Sequence, residues 1–301
     1  MPLWILATLS AALFQTWRTA LQQRLRGQLS VNGAGVVRYL YGVPFGALLL
    51  LGYLAATGAT PPEPNLLFLG YAALGGLTQI LGTNMLIMSF GARGFAVGTA
   101  YSKTEAVQGA ILALILLGEQ ISPVAWLGIA MGVGGVMYLS LAGREAGLGN
   151  VLRAAVQPAA LCGLGAGAGF ALTAIFIKSA NIALANPDPV LCALVTLVAA
   201  NILQTLMQGA WLLWREPDQF QAVFRTWRSS LPVGALSAMG SACWFTGFAL
   251  APVALVRAVG QTEILFTLLF SRFYLRETLT RAELVGAGIV VLGVVLVLLG
   301  R

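Results

Sequence analysis

The feature that most constrains this chain is a series of about ten apolar runs separated by short polar breaks, and a bilayer-spanning helix needs roughly 20 such residues. Hydrophobic residues make up 58% of the 301 positions, and charged residues make up 9%. The mean hydropathy of +0.86 implies more apolar surface than one soluble core could bury. We therefore expect an all-α integral membrane protein with the lipid bilayer as its solvent.

The runs and their breaks predict ten transmembrane helices. Prolines mark several breaks, such as Pro61 and Pro62 in one and Pro187 and Pro189 in another. The first run is interpreted as a span, because Met1–Leu13 lacks the basic start and the cleavage site of a signal peptide. The predicted helices lie near residues 2–24, 33–56, 65–90, 94–117, 122–141, 156–181, 189–214, 231–250, 253–274 and 281–300.

The distribution of arginine predicts the orientation. If successive loops alternate between the two faces, one face has eleven arginines outside the spans, and the face with both termini has Arg301. The eleven are Arg24, Arg26, Arg93, Arg144, Arg153, Arg215, Arg225, Arg228, Arg272, Arg276 and Arg281. Because cytoplasmic loops are rich in Lys and Arg, we expect both termini to be periplasmic in a bacterial inner membrane. The net charge of +7 is then a topology signal rather than a sign of nucleic-acid binding.

The sequence also matches itself after a shift of 158 residues without a gap. The shift places Gly76 on Gly234, Gly82 on Gly240, Phe90 on Phe248, Ala96 on Ala254, Ala100 on Ala258, Thr104 on Thr262, Glu105 on Glu263, Glu119 on Glu277, Gly128 on Gly286 and Gly135 on Gly293. We expect a first repeat at 1–143, a cytoplasmic linker at 144–155 and a second repeat at 156–301. Since each repeat has five predicted helices, the second would enter the membrane from the opposite face, an architecture typical of alternating access around a central cavity.

Two paired segments resemble a known family. Lys103-Thr104-Glu105 through Glu119, and Gln261-Thr262-Glu263 through Glu277, each precede a glycine-bearing last helix, and they resemble the two EamA units of the drug/metabolite transporter superfamily. Within it, the chain is most similar to YddG-type exporters of aromatic amino acids and methyl viologen. The resemblance implies a ten-helix bundle with a cavity between its halves that exports small amphiphilic metabolites. The small multidrug relatives carry an essential glutamate in their first helix, but predicted helices 1 and 6 here contain none.

The candidate site residues are polar, charged or aromatic side chains deep in predicted spans. They are Tyr39, Gln79, Thr83, Asn84, Tyr101, Lys103, Glu105, Trp244, Arg257, Gln261 and Glu263. Gln79 and Thr83 are four residues apart on one helix face and could line one wall. Trp244 lies deeper than most of the tryptophans, which fall near span ends.

The charged candidates have alternative interpretations. Glu105 and Glu263 are predicted near the centres of helices 4 and 9, where they could handle substrate or protons, or anchor neighbouring helices. Lys103 could neutralise a carboxylate or contact a substrate carboxylate. Arg257 could bind a carboxylate with two hydrogen bonds, or reach a helix end as a long side chain that snorkels. Because an ion-paired Glu105 could not carry protons, we expect facilitated or weakly proton-linked transport.

Other features point away from competing functions. The chain has no histidine, and its three cysteines lie in apolar runs, so we expect no metal site, no cofactor and no disulfide framework. The glycine run at 163–169 and the pair Gly128 and Gly132 are interpreted as close helix packing. The expected partners are a small-molecule substrate and the lipid bilayer, with a monomer expected and an oligomer left open. A multidrug carrier, a non-transporting membrane protein and an intramembrane enzyme remain alternatives, the enzyme disfavoured by the lack of a convergent catalytic set.

Overall fold

The computed structural model describes residues 1–25, 27–89, 101–141, 158–273 and 281–300, and within these ranges it is all-helical. The helices of the first part are α1 (Leu3–Leu25), α2 (Val31–Leu40), α3 (Gly42–Thr57), α4 (Leu66–Met88), α5 (Glu105–Leu117) and α6 (Pro123–Leu141). Those of the second part are α7 (Pro158–Ala183), α8 (Pro189–Arg215), α9 (Pro217–Arg225), α10 (Trp227–Leu250), α11 (Val253–Gly260), α12 (Glu263–Phe273) and α13 (Arg281–Leu299).

Five of the described helical segments are long and apolar enough to cross a membrane: Val31–Thr57, Leu66–Met88, Pro158–Ala183, Pro189–Arg215 and Trp227–Leu250. Shorter apolar helices cover Glu105–Leu117, Pro123–Tyr138 and Leu284–Leu299. The all-helical prediction is therefore confirmed. Ten spans and their inverted arrangement stay predictions.

The chain forms two compact units, each assembled from separate parts of the sequence. Unit 1 contains Met1–Ile80 and Thr173–Ala251, and unit 2 contains Leu81–Leu172 and Pro252–Arg301. The division falls within α4 and within α7. The repeats at 1–143 and 156–301 divide the chain by sequence likeness rather than by packing, and they remain a prediction.

Unit 1 is held by apolar packing of long helices. Helix α1 packs along α10, and α8 packs against α2, α3 and α10. One core cluster contains Leu25, Val37, Leu212, Val223 and Val233, each at most 1% exposed. These side chains bring α1, α2, α8, α9 and α10 together.

The start of α8 is fixed by an aspartate cap. Asp188 Oδ1 accepts hydrogen bonds from Val190 N and Leu191 N at 3.0 and 3.1 Å, and the Tyr53 hydroxyl donates to its Oδ2 at 2.8 Å. Burial disfavours the ionised form, but these three hydrogen bonds outweigh it and hold the pKa of Asp188 below its ordinary value. The cap satisfies amides that a helix start otherwise leaves without partners.

Unit 2 depends on close approach of α6 and α13. A Cβ atom at Gly128 would lie 2.6 Å from Gly293 O, and one at Gly293 would lie 2.6 Å from Gly132 N. In α7, a Cβ atom at Gly167 would lie 3.0 Å from Ser102 O. The prediction that Gly128, Gly132 and the glycine run at 163–169 serve helix packing is confirmed at Gly128, Gly132 and Gly167.

The structure corrects two predicted continuous helices. The predicted span 253–274 is broken by a turn at Gln261 and Thr262, which we call the second break. In the predicted span 94–117, residues 94–100 lie outside the described part, and a turn at Lys103 and Thr104, the first break, precedes α5. Glu105 and Glu263 are therefore the first residues of short helices, and their prediction near the centres of continuous helices is wrong.

Two smaller differences concern unit 1. The predicted helix 33–56 is interrupted at Tyr41, which separates α2 from α3. The predicted loop between residues 214 and 231 contains α9 and the first turn of α10. Pro217 at the start of α9 suits this position, because the first helical residue needs no intrahelical N–H partner.

Candidate functional site

The two breaks share one local hydrogen-bond pattern. The Thr104 amide donates to Tyr101 O at 3.2 Å, and the Thr262 amide donates to Val259 O at 3.1 Å. Each threonine hydroxyl donates to the same carbonyl, at 2.6 Å for Thr104 and 2.8 Å for Thr262. A threonine that binds a nearby carbonyl in this way offers the backbone an alternative to a continuous helix.

A glutamate begins the helix after each break. Glu105 is the first residue of α5, and Glu263 is the first residue of α12. Helix N-termini carry partial positive charge, so an ionised carboxylate is more favourable there than in the middle of a helix. The break thus supplies part of the stabilisation that a membrane-embedded carboxylate needs.

The remaining stabilisation comes from two ion pairs that cross between the breaks. Lys103 Nζ, at the first break, lies 2.6 Å from Glu263 Oε2, just after the second break. Arg257 Nη1, in α11, lies 3.6 Å from Glu105 Oε1, just after the first break. We call these four side chains the crossed ion pairs. The structure thus pairs Glu105 with Arg257, whereas Lys103 belongs to the other glutamate.

Arg257 is fixed by a further contact. Its Nη2 donates to Phe170 O at 2.8 Å, and the residue is 8% exposed. Gly109 of α5 lies beside it, where a Cβ atom would make ordinary van der Waals contact with Arg257 Cγ at 3.9 Å. These contacts favour a role for Arg257 as an internal partner rather than as a side chain that snorkels to a helix end.

The crossed ion pairs contain two cations and two anions, so their formal charges cancel. The side chains of Lys103, Glu263 and Glu105 are each 13% exposed, and that of Arg257 is 8% exposed. Charged groups within spans are tolerated when they are paired in this way. Such a cluster can exchange an internal partner for a ligand group of the same sign without leaving a net buried charge.

Comparisons with known proteins are consistent with this architecture. Residues 157–299 match the EamA-like transporter family. We call this segment the EamA-like domain. A solved structure described as "Crystal structure of protein" covers 97% of this chain and 98% of its own length, with a TM-score of 0.71 and 16% sequence identity. At that identity the likeness shows the fold alone, and no curated protein sequence matches the chain.

The described apolar helices and the match of residues 157–299 to a transporter family together indicate a multi-pass membrane protein. The EamA-like domain contains the candidates Trp244, Arg257, Gln261 and Glu263. The other candidates lie before residue 157. The crossed ion pairs therefore join residues inside the EamA-like domain to residues that precede it.

Gln261 of the EamA-like domain is buried at the second break. A Cβ atom on Gly132 would overlap its amide group, so Gly132 leaves the space that this side chain occupies. Neither amide atom of Gln261 has a hydrogen-bond partner among the residues that the structure describes. Gln261 is thus held in the site by packing.

Three further candidates lie in unit 2, before the EamA-like domain. Tyr101 is 4% exposed and packs with Ala160, with Leu164 beside them. Thr83 is 2% exposed, and Asn84 is half-buried. Tyr101 adjoins the first break directly through its carbonyl, which Thr104 binds.

The remaining candidates lie in unit 1. Gln79 Oε1 accepts a hydrogen bond from Gln204 Nε2 at 2.7 Å. Trp244 Nε1 donates to Gln15 Oε1 at 3.1 Å, and its ring stacks on Phe248 with centroids 5.8 Å apart. The eleven candidates thus divide between the two units, with Gln79 in unit 1 and Thr83 in unit 2.

Tyr39 is a core residue of unit 1. It is 2% exposed, and the Arg38 guanidinium carbon lies 5.4 Å from its ring centroid. Arg38 itself is 4% exposed. This stacked pair gives a buried guanidinium an aromatic neighbour.

A polar row on α8 within the EamA-like domain was not predicted from the sequence. Asn201, Gln204 and Gln208 are at most 5% exposed, and Gln204 also donates to Gly76 O at 3.2 Å. Their spacing of three and then four residues places them on one helix face. This amphipathic pattern in an otherwise apolar run was the signal that could have identified them.

Glu119 has a structural role in unit 2. Its Oε2 accepts a hydrogen bond from Val253 N, at the start of α11, at 2.8 Å. A carboxylate at a helix start both satisfies an amide and complements the helix dipole. The equivalent residue in the repeat, Glu277, lies outside the described residues.

Proposed function

We propose that this protein is an inner-membrane transporter that exports small amphiphilic metabolites by alternating access. Amino acids are the proposed substrates, with aromatic ones favoured, as in the YddG-type exporters that the chain resembles. The observation that carries the proposal is the set of crossed ion pairs at two helix breaks. Discontinuous helices in transporters typically form substrate and ion sites.

The charge pattern supports a zwitterionic substrate. An amino acid carries one carboxylate and one ammonium group, which match the cation of one ion pair and the anion of the other. The carboxylate would bind Lys103 or Arg257, and the ammonium would bind Glu105 or Glu263. At Lys103 and Glu263 the exchange replaces one charge-assisted hydrogen bond with another, and at Arg257 and Glu105 it replaces an ion pair at 3.6 Å.

The proposed energetics is facilitated or weakly proton-linked transport. Glu263 lies 2.6 Å from Lys103 and Glu105 lies 3.6 Å from Arg257, and each glutamate begins a helix, so both carboxylates already have a positioning role. Glu105 and Glu263 would then position the two broken helices and contact substrate, rather than couple transport to a proton gradient.

The proposed topology has ten spans in two inverted repeats, with both termini in the periplasm. The protein is proposed to be a monomer. The eleven-to-one arginine distribution supports the orientation. Fusions of a periplasmic phosphatase and of a cytoplasmic fluorescent protein to the C-terminus test it. Phosphatase activity without fluorescence is expected, and the reverse result would contradict the orientation.

Counterflow into proteoliposomes tests the proposed function. Proteoliposomes that contain the purified protein are loaded with an unlabelled amino acid, and entry of the same amino acid in labelled form is measured. The panel includes aromatic, aliphatic and charged amino acids. Phenylalanine, tyrosine or tryptophan should give the highest rate. Glu105→Gln and Glu263→Gln should slow it at least tenfold by removing a charged contact worth roughly 1.5–3 kcal/mol.

A matched variant controls for charge alone. Glu63→Gln makes the same change at an exposed position between α3 and α4, and it should leave counterflow unchanged. Counterflow of unrelated organic cations but of no amino acid would replace the proposed substrate with that of a multidrug carrier. Uphill movement driven by a pH gradient alone, and lost in either glutamine variant, would contradict the proposed energetics.

A further inference from the structure

A second surface of unit 1 lies at the junction of two span-length helices. Helix α8 ends at Arg215, α9 follows at once, and α10 begins at Trp227. Both Pro189–Arg215 and Trp227–Leu250 are long and apolar enough to cross a membrane. The connecting segment must therefore lie where these two spans leave the hydrocarbon, at one membrane surface.

Polar contacts fix the inner side of this segment. Glu216 accepts hydrogen bonds from Ser30 Oγ at 2.5 Å and from Asn32 Nδ2 at 2.9 Å. Gln219 Oε1 accepts from Ser30 N at 2.8 Å, and Val223 is 1% exposed in the core. These contacts bind α9 to the start of α2 and determine which side of α9 faces outward.

The outer side carries three aromatic residues, each followed by an arginine. These pairs are Trp214 and Arg215, Phe224 and Arg225, and Trp227 and Arg228, which we call the arginine–aromatic edge. Trp214, Phe224 and Trp227 are 74%, 48% and 49% exposed, and all three arginines are exposed. The guanidinium carbons of Arg215 and Arg228 lie 4.6 and 5.4 Å from the ring centroids of the preceding tryptophans.

The charges on this segment are unequal. Between residues 214 and 228 the sequence has three arginines and two acids, Glu216 and Asp218. Glu216 is engaged by Ser30 and Asn32, so Asp218 is the one exposed acid in the segment. The exposed side therefore has an excess of positive charge beside aromatic rings that prefer the boundary between headgroups and acyl chains.

We propose that the arginine–aromatic edge binds the phosphate groups of anionic lipids in the adjacent leaflet. Exposed tryptophan and phenylalanine rings insert at the level of the headgroups, which places the arginines against lipid phosphates. Guanidinium groups bind phosphate through two parallel hydrogen bonds. A free phosphate ion would bind the arginines but would leave the aromatic rings in water. A lipid binds the arginines through its phosphate and also buries the rings at the headgroup level.

Native mass spectrometry of lipid retention tests this proposal. The protein is taken from phosphatidylcholine vesicles, and from vesicles with roughly three parts phosphatidylcholine to one part phosphatidylglycerol, an anionic surface that attracts basic residues. The retained lipid should be enriched in phosphatidylglycerol. Arg215→Gln/Arg228→Gln should reduce the retained ratio of phosphatidylglycerol to phosphatidylcholine by roughly thirtyfold, because each arginine near an anionic surface contributes about 1 kcal/mol.

Matched variants separate this surface from general charge. Arg24→Gln/Arg281→Gln removes the same charge from two exposed arginines elsewhere and should have a much smaller effect. Trp214→Ala/Trp227→Ala should also reduce enrichment without changing charge, and Asp218→Asn should increase it. For the wild-type protein, the enrichment should fall as salt is raised, which tests the proposal even if a variant misfolds.

Three results would overturn the proposal. Equal losses in the two arginine variants would show an effect of net charge alone. Displacement of phosphatidylglycerol by inorganic phosphate, with the tryptophan variant unchanged, would identify a free-anion site. A dimer mass that disappears in the tryptophan variant would identify the edge as an interface between copies of this chain.

Discussion

The two helix breaks of unit 2 have the same backbone and different charges. In both, a threonine hydroxyl binds the carbonyl three residues earlier and a glutamate begins the next helix. The residue before the threonine differs, because Lys103 at the first break corresponds to Gln261 at the second. Lys103 pairs with Glu263, while Gln261 packs against Gly132.

This difference shows how a repeated structure can accommodate an unequal charge distribution. The anions occupy equivalent positions, but their cations do not, since Lys103 is two residues before Glu105 and Arg257 is six residues before Glu263. Each glutamate therefore takes its cation from the opposite half of the chain. The backbone of each break is a local property, whereas neutralisation depends on both breaks together.

The largest predicted effect comes from removing one charge of the shorter ion pair. Lys103→Met or Glu263→Gln should lower the free energy of unfolding by about 3–5 kcal/mol, because each removes the nearest partner of a buried charge. Lys103→Glu/Glu263→Lys should recover part of this loss, because it restores the pair but places a cation at a helix N-terminus. Dodecyl sulfate titration in mixed micelles measures the free energy of unfolding of each variant, with Glu63→Gln as the control. A double variant no more stable than the single ones would show that the pair has no specific coupling.

A smaller effect is predicted where a neighbouring glycine covers each break. A Cβ atom at Gly167 would meet backbone atoms of the first break, with Ser102 O at 3.0 Å and Glu105 N at 3.3 Å. At the second break, a Cβ atom on Gly132 would meet the end of the Gln261 side chain, which can move. Gly167→Ala should therefore cost about 1–3 kcal/mol in the same titration, and Gly132→Ala should cost less.

Gly134→Ala is the matched control for this pair, because no described atom outside its own helix backbone lies within 4 Å of a Cβ there and alanine favours a helix. It should be neutral or slightly stabilising. If Gly132→Ala proves as costly as Gly167→Ala, then Gln261 is as rigid as the backbone of the first break.

The smallest predicted difference compares the two threonines. Thr262→Val should cost about 1 kcal/mol, the net value of one hydrogen bond. Thr104→Val should cost about 2 kcal/mol, because Thr104 Oγ1 also accepts a hydrogen bond from Gln108 Nε2 at 2.8 Å, and that amide would keep only the long contact with Leu164 O at 3.4 Å. Equal losses in the mixed-micelle titration would mean that Gln108 finds another partner.

The sequence predicted those features that depend on local composition. Apolar runs predicted the helices, the repeat predicted that Glu105 and Glu263 occupy equivalent positions, and glycine spacing predicted close packing at Gly128 and Gly132. It did not predict the breaks, because a threonine within an apolar run is compatible with a continuous helix until its hydroxyl binds the carbonyl three residues back. At each break the threonine could either continue the helix or bind the carbonyl three residues earlier, and the residue type alone does not decide between these two hydrogen-bond patterns.

The ion-pair partners of the charged residues also could not be predicted from the sequence. Lys103 is closer in sequence to Glu105, yet it pairs with Glu263, 160 residues away. Arg257 was recognised as a possible carboxylate ligand, but its contact with Phe170 O depends on the packing of α11 against the chain of α7. The polar row on α8 could have been found from spacing, since Asn201, Gln204 and Gln208 share one helix face.

The most direct test of the central claim is a competition experiment with analogues of one substrate. Labelled phenylalanine counterflow is measured with unlabelled phenylalanine, phenethylamine, which lacks the carboxylate, and phenylpropionate, which lacks the ammonium group. If the crossed ion pairs bind both charges, each analogue should compete at least roughly tenfold less well than phenylalanine, the loss expected for one charged hydrogen bond. Equal competition by all three compounds would contradict the account, because recognition would then depend on the aromatic ring and not on the crossed ion pairs.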